Sequence, residues 1–404
     1  MISLLAVIVT AIVLRPAATS IGPLLAELKA DLGMSDTVAG LLTALPGLSF
    51  AFIGLTANRL APKLGLVGSL IQAALFITLG SAIRVLTGSW ELFLGFSLIA
   101  LAGMAIGNVL LPAFIKVAYP NSATAMSTVY TTFLALGAIL PTILDRPLEE
   151  VGSSWLGSDR GWRLGVGIWA LLGLAALILW LGVHFRANLP EAATSYGSGQ
   201  RFHVRQLWRS PTAVALMVFF GIQSMQAYIQ FGWLAQMYRD GGLGATDSAL
   251  MVSIVAAGGV PGGLLMPRIV ARQKGLRWWI VLFAVLLAVG YLGVAFLPTT
   301  TPWIWAVSLG ISGFAFSAAL AMIISRTRSS SVTGGVSAFV QPFGYFLAAL
   351  GPFLTGWAYE AVGSWTPILV TLAATSLIMA GAGLLAARPC LIDDELPTSG
   401  KGAS

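Results

Sequence analysis

One arginine lies in the middle of a long apolar segment near the start of the chain. Arg15 is flanked by mostly apolar residues over residues 3–27. An arginine at the centre of a membrane span costs about 2.5–3.5 kcal/mol on insertion scales, so it needs a counter-charge, backbone carbonyls, a water-filled cavity or a ligand. No acidic residue lies near the middle of any predicted span, and a planar guanidinium matches carboxylate-like anions. Arg15 is therefore predicted to bind an anionic or electron-rich substrate; the alternative is a structural arginine bonded to unwound backbone or to Asn108.

Neutral polar side chains in other apolar segments are predicted to complete the same site. Gln223, Gln226 and Gln230 follow one another at i, i+3 and i+7, which places them on one helical face. A polar stripe in a membrane span is expected to face a cavity or another polar helix. The predicted substrate-binding residues, all within apolar segments, are Arg15, Asn108, Gln223, Gln226, Tyr228, Gln230, Gln341 and Tyr345.

The composition indicates an all-α membrane protein. Of the 404 residues, 57% are hydrophobic and 9% are charged, whereas soluble domains are about 25% charged. Apolar runs of about 20 residues, the length that crosses a bilayer, recur about twelve times along the chain. Helix 5 is predicted near residues 121–144 and helix 8 near residues 247–270. The lipid bilayer is thus the predicted environment, and about twelve transmembrane helices are the predicted fold.

The helices are predicted to form two pseudo-symmetric halves of six. Residues 1–185 make the N-terminal half, 186–210 a polar linker, 211–388 the C-terminal half and 389–404 a tail. Fifteen of the 22 Lys and Arg residues fall on the side of both termini, six fall on the other side, and Arg15 lies within helix 1. Because positively charged loops stay in the cytoplasm, both termini are predicted to be cytoplasmic in a multi-pass protein of the bacterial inner membrane.

A short motif follows the second helix of each predicted half. In both places a glycine is followed by basic residues five and nine positions later. The two sets are Gly54, Arg59 and Lys63, and Gly263, Arg268 and Arg272. Duplicated six-helix halves are an architecture of secondary transporters, and the motif is predicted to lie in a gating loop. Two ordinary basic loops that match by chance are the alternative.

The motif, the helix count and the central linker resemble the major facilitator superfamily. Asn58 stands where that signature has an acidic residue, so a weaker gating contact is expected at this loop. Two strings, LRPAATSIGPLL at residues 14–25 and AIGNVLLPAFIKVAYP at residues 105–120, look like the cyanate and nitroimidazole transporter family within the superfamily. The helix 7 string at residues 219–234 agrees with this. The resemblance implies uptake or efflux of a small polar or anionic compound by rocking of the two halves.

The sequence lacks the residues that several classes of function require. With one cysteine and two histidines, no metal site is expected. No phosphate-binding glycine loop follows a strand pattern, and no nucleophile–base set is present, so no cofactor and no enzymatic activity are predicted. The basic residues punctuate apolar runs, so no nucleic acid is expected to bind. The prediction is a monomeric secondary active or facilitative transporter; the alternatives are a multidrug exporter for neutral or weakly basic compounds and a non-transporting membrane sensor.

Overall fold

Helices account for the regular structure of the described chain. The structure is a computed structural model that describes residues 2–186, 204–273, 275–328 and 330–396, without the side chains of residues 54–63, 123–124, 186, 204 and 330–331. Twelve of its helices are long and apolar enough to cross a membrane, which confirms the predicted fold class. They are α1 Ile2–Leu32, α2 Asp36–Ile53, α3 Leu64–Arg84, α4 Trp90–Ala118, α5 Ala125–Leu156, α6 Trp162–Phe185, α7 Pro211–Asp240, α8 Ala245–Arg272, α9 Leu276–Phe296, α10 Pro302–Ser325, α11 Val332–Val362 and α12 Trp365–Ala386.

The outward faces of these helices are apolar. Large side chains such as Phe185 and Leu377 are 77% and 75% exposed. Other aromatic side chains fill the interior. The rings of Phe114 on α4 and Trp180 on α6, for example, meet edge to face with 4.9 Å between their centroids. Soluble monomers rarely expose large contiguous apolar surfaces. The exposed apolar belt therefore fits a chain surrounded by lipid.

The start of α1 and the end of α12 lie on the same side of the bundle, because an even number of spans returns the chain to the side where it began. We call this the terminal side and the opposite one the far side. The N-cap of α2 is Ser35, whose hydroxyl accepts a hydrogen bond from the Val38 amide at 3.3 Å. The helix then continues through residues 54–63 into α3 and changes direction at Gly65, which has a φ of 69°. Gly54, Asn58, Arg59 and Lys63 thus fall outside the described side chains.

The second copy of the motif lies within a helix rather than in a loop. Helix 8 ends at Arg272, close to the predicted residue 270, but the prediction that the motif beginning at Gly263 lies in a loop is wrong, since the helix includes these residues. The helix ends where Gln273 adopts a left-handed conformation, with a φ of 53°. Arg268 is exposed, and its Nη1 donates to the Leu264 carbonyl at 3.2 Å. The motif therefore occupies the last turns of α8 on the terminal side.

The fifth span is much longer than predicted. It continues past residue 144, through Pro147, to Leu156. Asp145, expected near the end of helix 5, is instead fully buried inside the span. The predicted end was too early because acidic and basic residues after Asp145 were taken as loop. In the structure Arg146 is paired with Glu27 of α1 at 2.8 Å, so these polar residues belong to the bundle.

The segment after α12 is folded back onto the C-terminal half. A short helix, Ile392–Glu395, follows α12. The buried Arg326 donates from Nε to the Ala386 carbonyl at 3.0 Å, and from Nη2 to the Ala387 carbonyl at 3.1 Å. Glu395 accepts hydrogen bonds from Ser210 and Thr212 at the start of α7. Residues 187–203 of the predicted linker and 397–404 of the predicted tail lie outside the described residues.

Candidate binding cavity

A cavity of about 850 Å³ lies between the two six-helix groups. Its lining comes from α1, α2, α4 and α5 on one side and from α7, α8, α10 and α11 on the other. Most lining residues are apolar or small. Among the described lining residues, Arg15 is the one with a charged side chain. The polar members include Thr19, Thr43, Asn108, Tyr130, Gln223, Ser224, Tyr228, Gln230, Gln341 and Tyr345.

Arg15 lies at a break in α1. The helix runs regularly over Ile2–Val13 and resumes over Pro16–Thr19. Proline has no amide hydrogen, so Pro16 removes one hydrogen bond from the helix. On the neighbouring span, Gly137 lies so close to this break that a Cβ there would be 2.1 Å from the Ile12 carbonyl oxygen. The break is therefore packed against α5 backbone, in the way that discontinuous helices line transporter sites.

The guanidinium of Arg15 has no hydrogen-bonding or ion-pair partner among the described residues. The side chain is half-buried. Its charge acts on the hydroxyl groups of Tyr130, Tyr228 and Tyr345, which come from α5, α7 and α11. The alternative of a structural arginine bonded to Asn108 is not the arrangement found. A cation at this depth without a partner leaves its five donors for a ligand or for water.

Asn108 instead holds one of these tyrosines. Its Nδ2 donates to the Met104 carbonyl at 2.9 Å, one turn earlier on α4. Its Oδ1 accepts from the Tyr130 hydroxyl at 3.4 Å. The predicted site residue thus reaches the cavity wall, and it also orients Tyr130.

Tyr345 lies at the centre of an aromatic group on the second half. Its ring is stacked on Phe50 of α2, with 5.0 Å between centroids. The Phe220 ring meets it edge to face at 5.0 Å, and Tyr228 lies 6.3 Å away. Gln341, one turn earlier on α11, donates from Nε2 to the Ser337 hydroxyl at 2.7 Å. These rings form an apolar wall beside the single charged group.

The three glutamines of α7 do not share one environment. Gln223 and Gln230 line the cavity, but Gln226 does not. Gln226 is fully buried behind the wall: its Oε1 accepts from the Tyr291 hydroxyl at 2.6 Å, and its Nε2 donates to Thr375 at 2.6 Å. At 100° per residue, position 226 is rotated about 60° from position 223, whereas position 230 is rotated about 20°. The expectation that Gln226 faces the cavity is therefore not met.

Two polar atoms of α7 remain without partners beside the cavity. Gln223 and Ser224 are each 2% exposed, and neither the Gln223 Oε1 nor the Ser224 Oγ has a hydrogen bond in the described structure. Buried polar atoms normally have partners. Both residues line the cavity, so an acceptor and a hydroxyl without partners lie at its wall.

Polar contacts between the halves close the far side. Glu27 of α1 accepts from Arg239 of α7 at 3.0 Å. Glu360 of α11 accepts from the Thr37 amide at the start of α2, at 2.8 Å. Backbones also come together there, since a Cβ on Gly22 would be 1.8 Å from the Phe231 carbonyl oxygen.

The lining continues toward the terminal side. It includes Leu264 near the end of α8 and Gly334 at the start of α11, both of which are exposed. In the part of the chain that the structure describes, the cavity is therefore closed on the far side and open on the terminal side.

Known proteins share this sequence pattern and this fold. A family model described as Major Facilitator Superfamily matches residues 7–352. The chain is 32% identical over 383 residues to the 2-nitroimidazole transporter of Escherichia coli (strain K12), covering 95% of this chain and 94% of that protein. It is 28% identical over 382 residues to the cyanate transport protein CynX of the same organism, covering 91% and 96%.

Among solved structures, one with this fold is a bacterial homolog of the human lysosomal transporter Spinster, in an inward-facing and unoccupied conformation. The TM-score is 0.74 at 18% sequence identity, and the match covers 98% of each chain. At this identity the likeness shows the fold alone.

Proposed function

The chain belongs to the major facilitator superfamily, and from this premise we propose that it moves a small anionic or polar organic compound across the bacterial inner membrane by alternating access. Compounds like cyanate or 2-nitroimidazole, which the names of two relatives specify, are the proposed class. The two halves rock around the cavity, which opens to one side of the membrane at a time. Residues 186–210 link the halves, and the protein works as a monomer.

The observation that carries the proposal is the state of Arg15. It is the one charged residue among the described lining residues, and it has no hydrogen-bonding or ion-pair partner there. A half-buried cation without a partner is costly to hold within a membrane span, and an anionic group of the substrate removes that cost while it is bound. The same charge repels a basic compound, which argues against export of weakly basic drugs.

The rest of the cavity supplies neutral contacts. Gln223 and Ser224 offer polar atoms without partners, and Gln230, Gln341 and Asn108 offer amides. The rings of Phe50 and Tyr345 flank the apolar part of the substrate. An apolar cavity with a few converging polar groups is the usual form of a small-molecule site.

The orientation follows from the charge distribution of the loops. We propose that the terminal side faces the cytoplasm, because most of the basic residues lie there. The cavity open to that side then corresponds to an inward-facing state.

The test is flux through purified protein in liposomes, with radiolabelled cyanate and 2-nitroimidazole as probes. Arg15→Lys keeps the charge and loses the planar fork, while Arg15→Ala removes both. A hydrogen bond to a charged group is worth about 1.5–3 kcal/mol, or about tenfold to a hundredfold in affinity. We expect Arg15→Lys to lose about that much affinity for cyanate, and Arg15→Ala to lose more.

Arg160→Ala is the matched control, because Arg160 is an exposed arginine between α5 and α6. It is expected to transport like the parent protein. Equal losses for anionic and neutral probes in Arg15→Ala would contradict the anion site. Binding without flux in the parent protein would instead identify a membrane sensor.

A further inference from the structure

A carboxylate outside the cavity is buried inside the first half. Asp145 of α5 is 0% exposed. Its Oδ1 accepts from the Trp169 indole at 2.9 Å, whereas its Oδ2 has no hydrogen-bonding partner in the described structure. An ionised carboxylate has room for about four hydrogen bonds, and burying it with one oxygen empty is costly. A protonated carboxyl group carries no charge and avoids most of that cost.

Arg84, the cation whose charge acts on Asp145, makes its hydrogen bonds to a different helix. Arg84 of α3 is fully buried, and its charge acts on Asp145. Its hydrogen bonds, however, go to α1: Nη1 donates to the Ala17 carbonyl at 3.1 Å, and Nη2 donates to the Ser20 hydroxyl at 3.4 Å. No ion pair joins Arg84 to Asp145 among the described residues.

Other charged groups around Asp145 are paired with one another. On α5 itself, Arg146 is 3.4 Å from Glu149 and 2.8 Å from Glu27 of α1. On α6, Arg163 is 3.3 Å from Asp31 of α1. On α8, the neutral hydroxyl of Ser253 contacts Thr142, one turn before Asp145. Arg84 is thus the cation that responds when the charge of Asp145 changes.

Asp145 is connected to the break that carries Arg15. Ala17 and Ser20, which Arg84 holds, follow Arg15 in the interrupted part of α1, and Ala17 lines the cavity. When Asp145 is neutral, the hydrogen-bond acceptors of Arg84 among the described residues are two uncharged groups of this α1 segment, the Ala17 carbonyl and the Ser20 hydroxyl. When Asp145 is ionised, its negative charge attracts the guanidinium of Arg84 away from the α1 segment. The charge of Asp145 therefore biases the position of the segment that presents Arg15.

Asp145 also lies between two contacts that must break when the halves rock. Thr142, one turn earlier on α5, is bonded to Ser253 of the second half at 2.9 Å. Arg146, the next residue, contacts Glu27, which also accepts from Arg239 of the second half. Titratable groups buried in membrane spans commonly mark proton paths.

We propose that Asp145 is a proton-binding site through which this transporter couples substrate movement to a proton gradient. The carboxylate takes up one proton in one conformation and releases it in the other, and no other bond forms or breaks. This inference rests on the proposed transport function.

The experiment uses full-length protein in liposomes with labelled 2-nitroimidazole, and subtracts rates from protein-free vesicles. Counterflow at equal pH inside and outside measures transport itself. Initial rates under a pH gradient of each sign measure coupling. Asp145→Asn preserves an oxygen to accept from Trp169 and cannot titrate. Asp159→Asn is the matched control, because Asp159 is an exposed acid in the loop before α6.

We expect the parent protein and Asp159→Asn to show rates that depend on the gradient. Asp145→Asn should retain counterflow and lose that dependence. A parent protein with counterflow but no response to the gradient would overturn the inference and leave the transport function standing. A folded Asp145→Asn protein that still responds, or that loses counterflow as well, would also overturn it. No counterflow in the parent protein would overturn both proposals.

A second variant keeps the inference testable if Asp145→Asn fails to fold. Trp169→Phe removes the hydrogen bond to the carboxylate and leaves Asp145 in place. Losing a hydrogen bond to the ionised form favours the protonated form, so the pH midpoint of the transport rate should rise by about one unit. An unchanged midpoint would overturn the inference.

Discussion

The carboxylate of Glu27 on α1 accepts a hydrogen bond from the guanidinium of Arg239 on α7, with 3.0 Å between Oε1 and Nη1. The same Oε1 lies 2.8 Å from Nη1 of Arg146 on α5. One acidic side chain therefore joins two helices of the first half to one of the second. These side chains are 12–25% exposed, so solvent screens the contact less than at an open surface.

The first prediction is that Glu27→Gln loosens the far side. The change leaves Arg146 and Arg239 near each other without a shared counter-charge, so the closed arrangement loses stability. A loss of about 1–3 kcal/mol shifts the open population by about 5- to 150-fold. A cysteine placed at Thr43, in a Cys390→Ser background, should react faster with an impermeant thiol reagent added from the far side.

Asp31→Asn serves as the control for this prediction. Asp31 accepts from Trp162 at 3.0 Å and from Arg163 at 3.3 Å, which both belong to the first half. Its loss breaks an acidic contact without separating the halves. Equal labelling rates in Glu27→Gln and Asp31→Asn would refute a role of Glu27 in closure.

The second prediction separates two glutamines of α7. Gln223→Leu should weaken substrate binding about 2- to 10-fold, the effect of one neutral hydrogen bond of about 0.5–1.5 kcal/mol, with folded yield unchanged. Gln226→Leu should lower stability by about 1–3 kcal/mol, because Tyr291 and Thr375 lose their buried partner. Binding affinity and thermal unfolding of both purified variants provide the measurement. The reverse pattern would mean that Gln226 contacts the substrate.

The third prediction concerns Glu395. Burial raises the pKa of this carboxyl, but hydrogen bonds from Ser210 and Thr212 outweigh that effect and hold the pKa below its ordinary value. A lowered folded-state pKa gives stability that is present above the unfolded value of about 4.3 and lost as the pH falls through the folded value. The segment after α12 should therefore stay docked at neutral pH and lose docking stability as the pH falls below the unfolded value of about 4.3.

Glu395→Ala should undock the segment at neutral pH. The loss of hydrogen bonds to a charged group, about 1.5 kcal/mol or more, predicts cleavage near residue 396 about tenfold faster in limited proteolysis. Asp393→Ala is the comparison, because Asp393 accepts from the Arg328 amide at 2.9 Å and has no contact with α7 among the described residues. A protease-resistant Glu395→Ala tail would contradict this docking mode.

The fourth prediction is the orientation. In a Cys390→Ser background, Gly197→Cys in the linker should resist an impermeant thiol reagent in intact cells, and Ser154→Cys should react. Ser154 is exposed near the far-side end of α5. The reverse labelling pattern would invert the proposed topology.

The sequence by itself determined the twelve spans and the membrane environment, and it singled out Arg15 as the charge inside a span. These follow from local chemistry: an apolar run of sufficient length must lie in lipid, and an arginine within such a run must be compensated. Each of these conclusions depends on residues that are close together in the chain.

Only the tertiary structure decided which polar groups meet. Gln223 and Gln226 are three residues apart on α7, and their directions differ by a rotation of about 60°. Gln223 therefore lines the cavity, whereas Gln226 lies behind the cavity wall. Asp145 was placed near the end of a span, although it is buried inside one. The groups that act on its carboxylate, Arg84 of α3 and Trp169 of α6, lie on other helices, so the local sequence does not reveal them. Glu395 looked like part of a free tail until its partners at the start of α7 were known. Pairing of this kind depends on how helices pack and rotate against one another, and hydropathy along the chain carries no record of it.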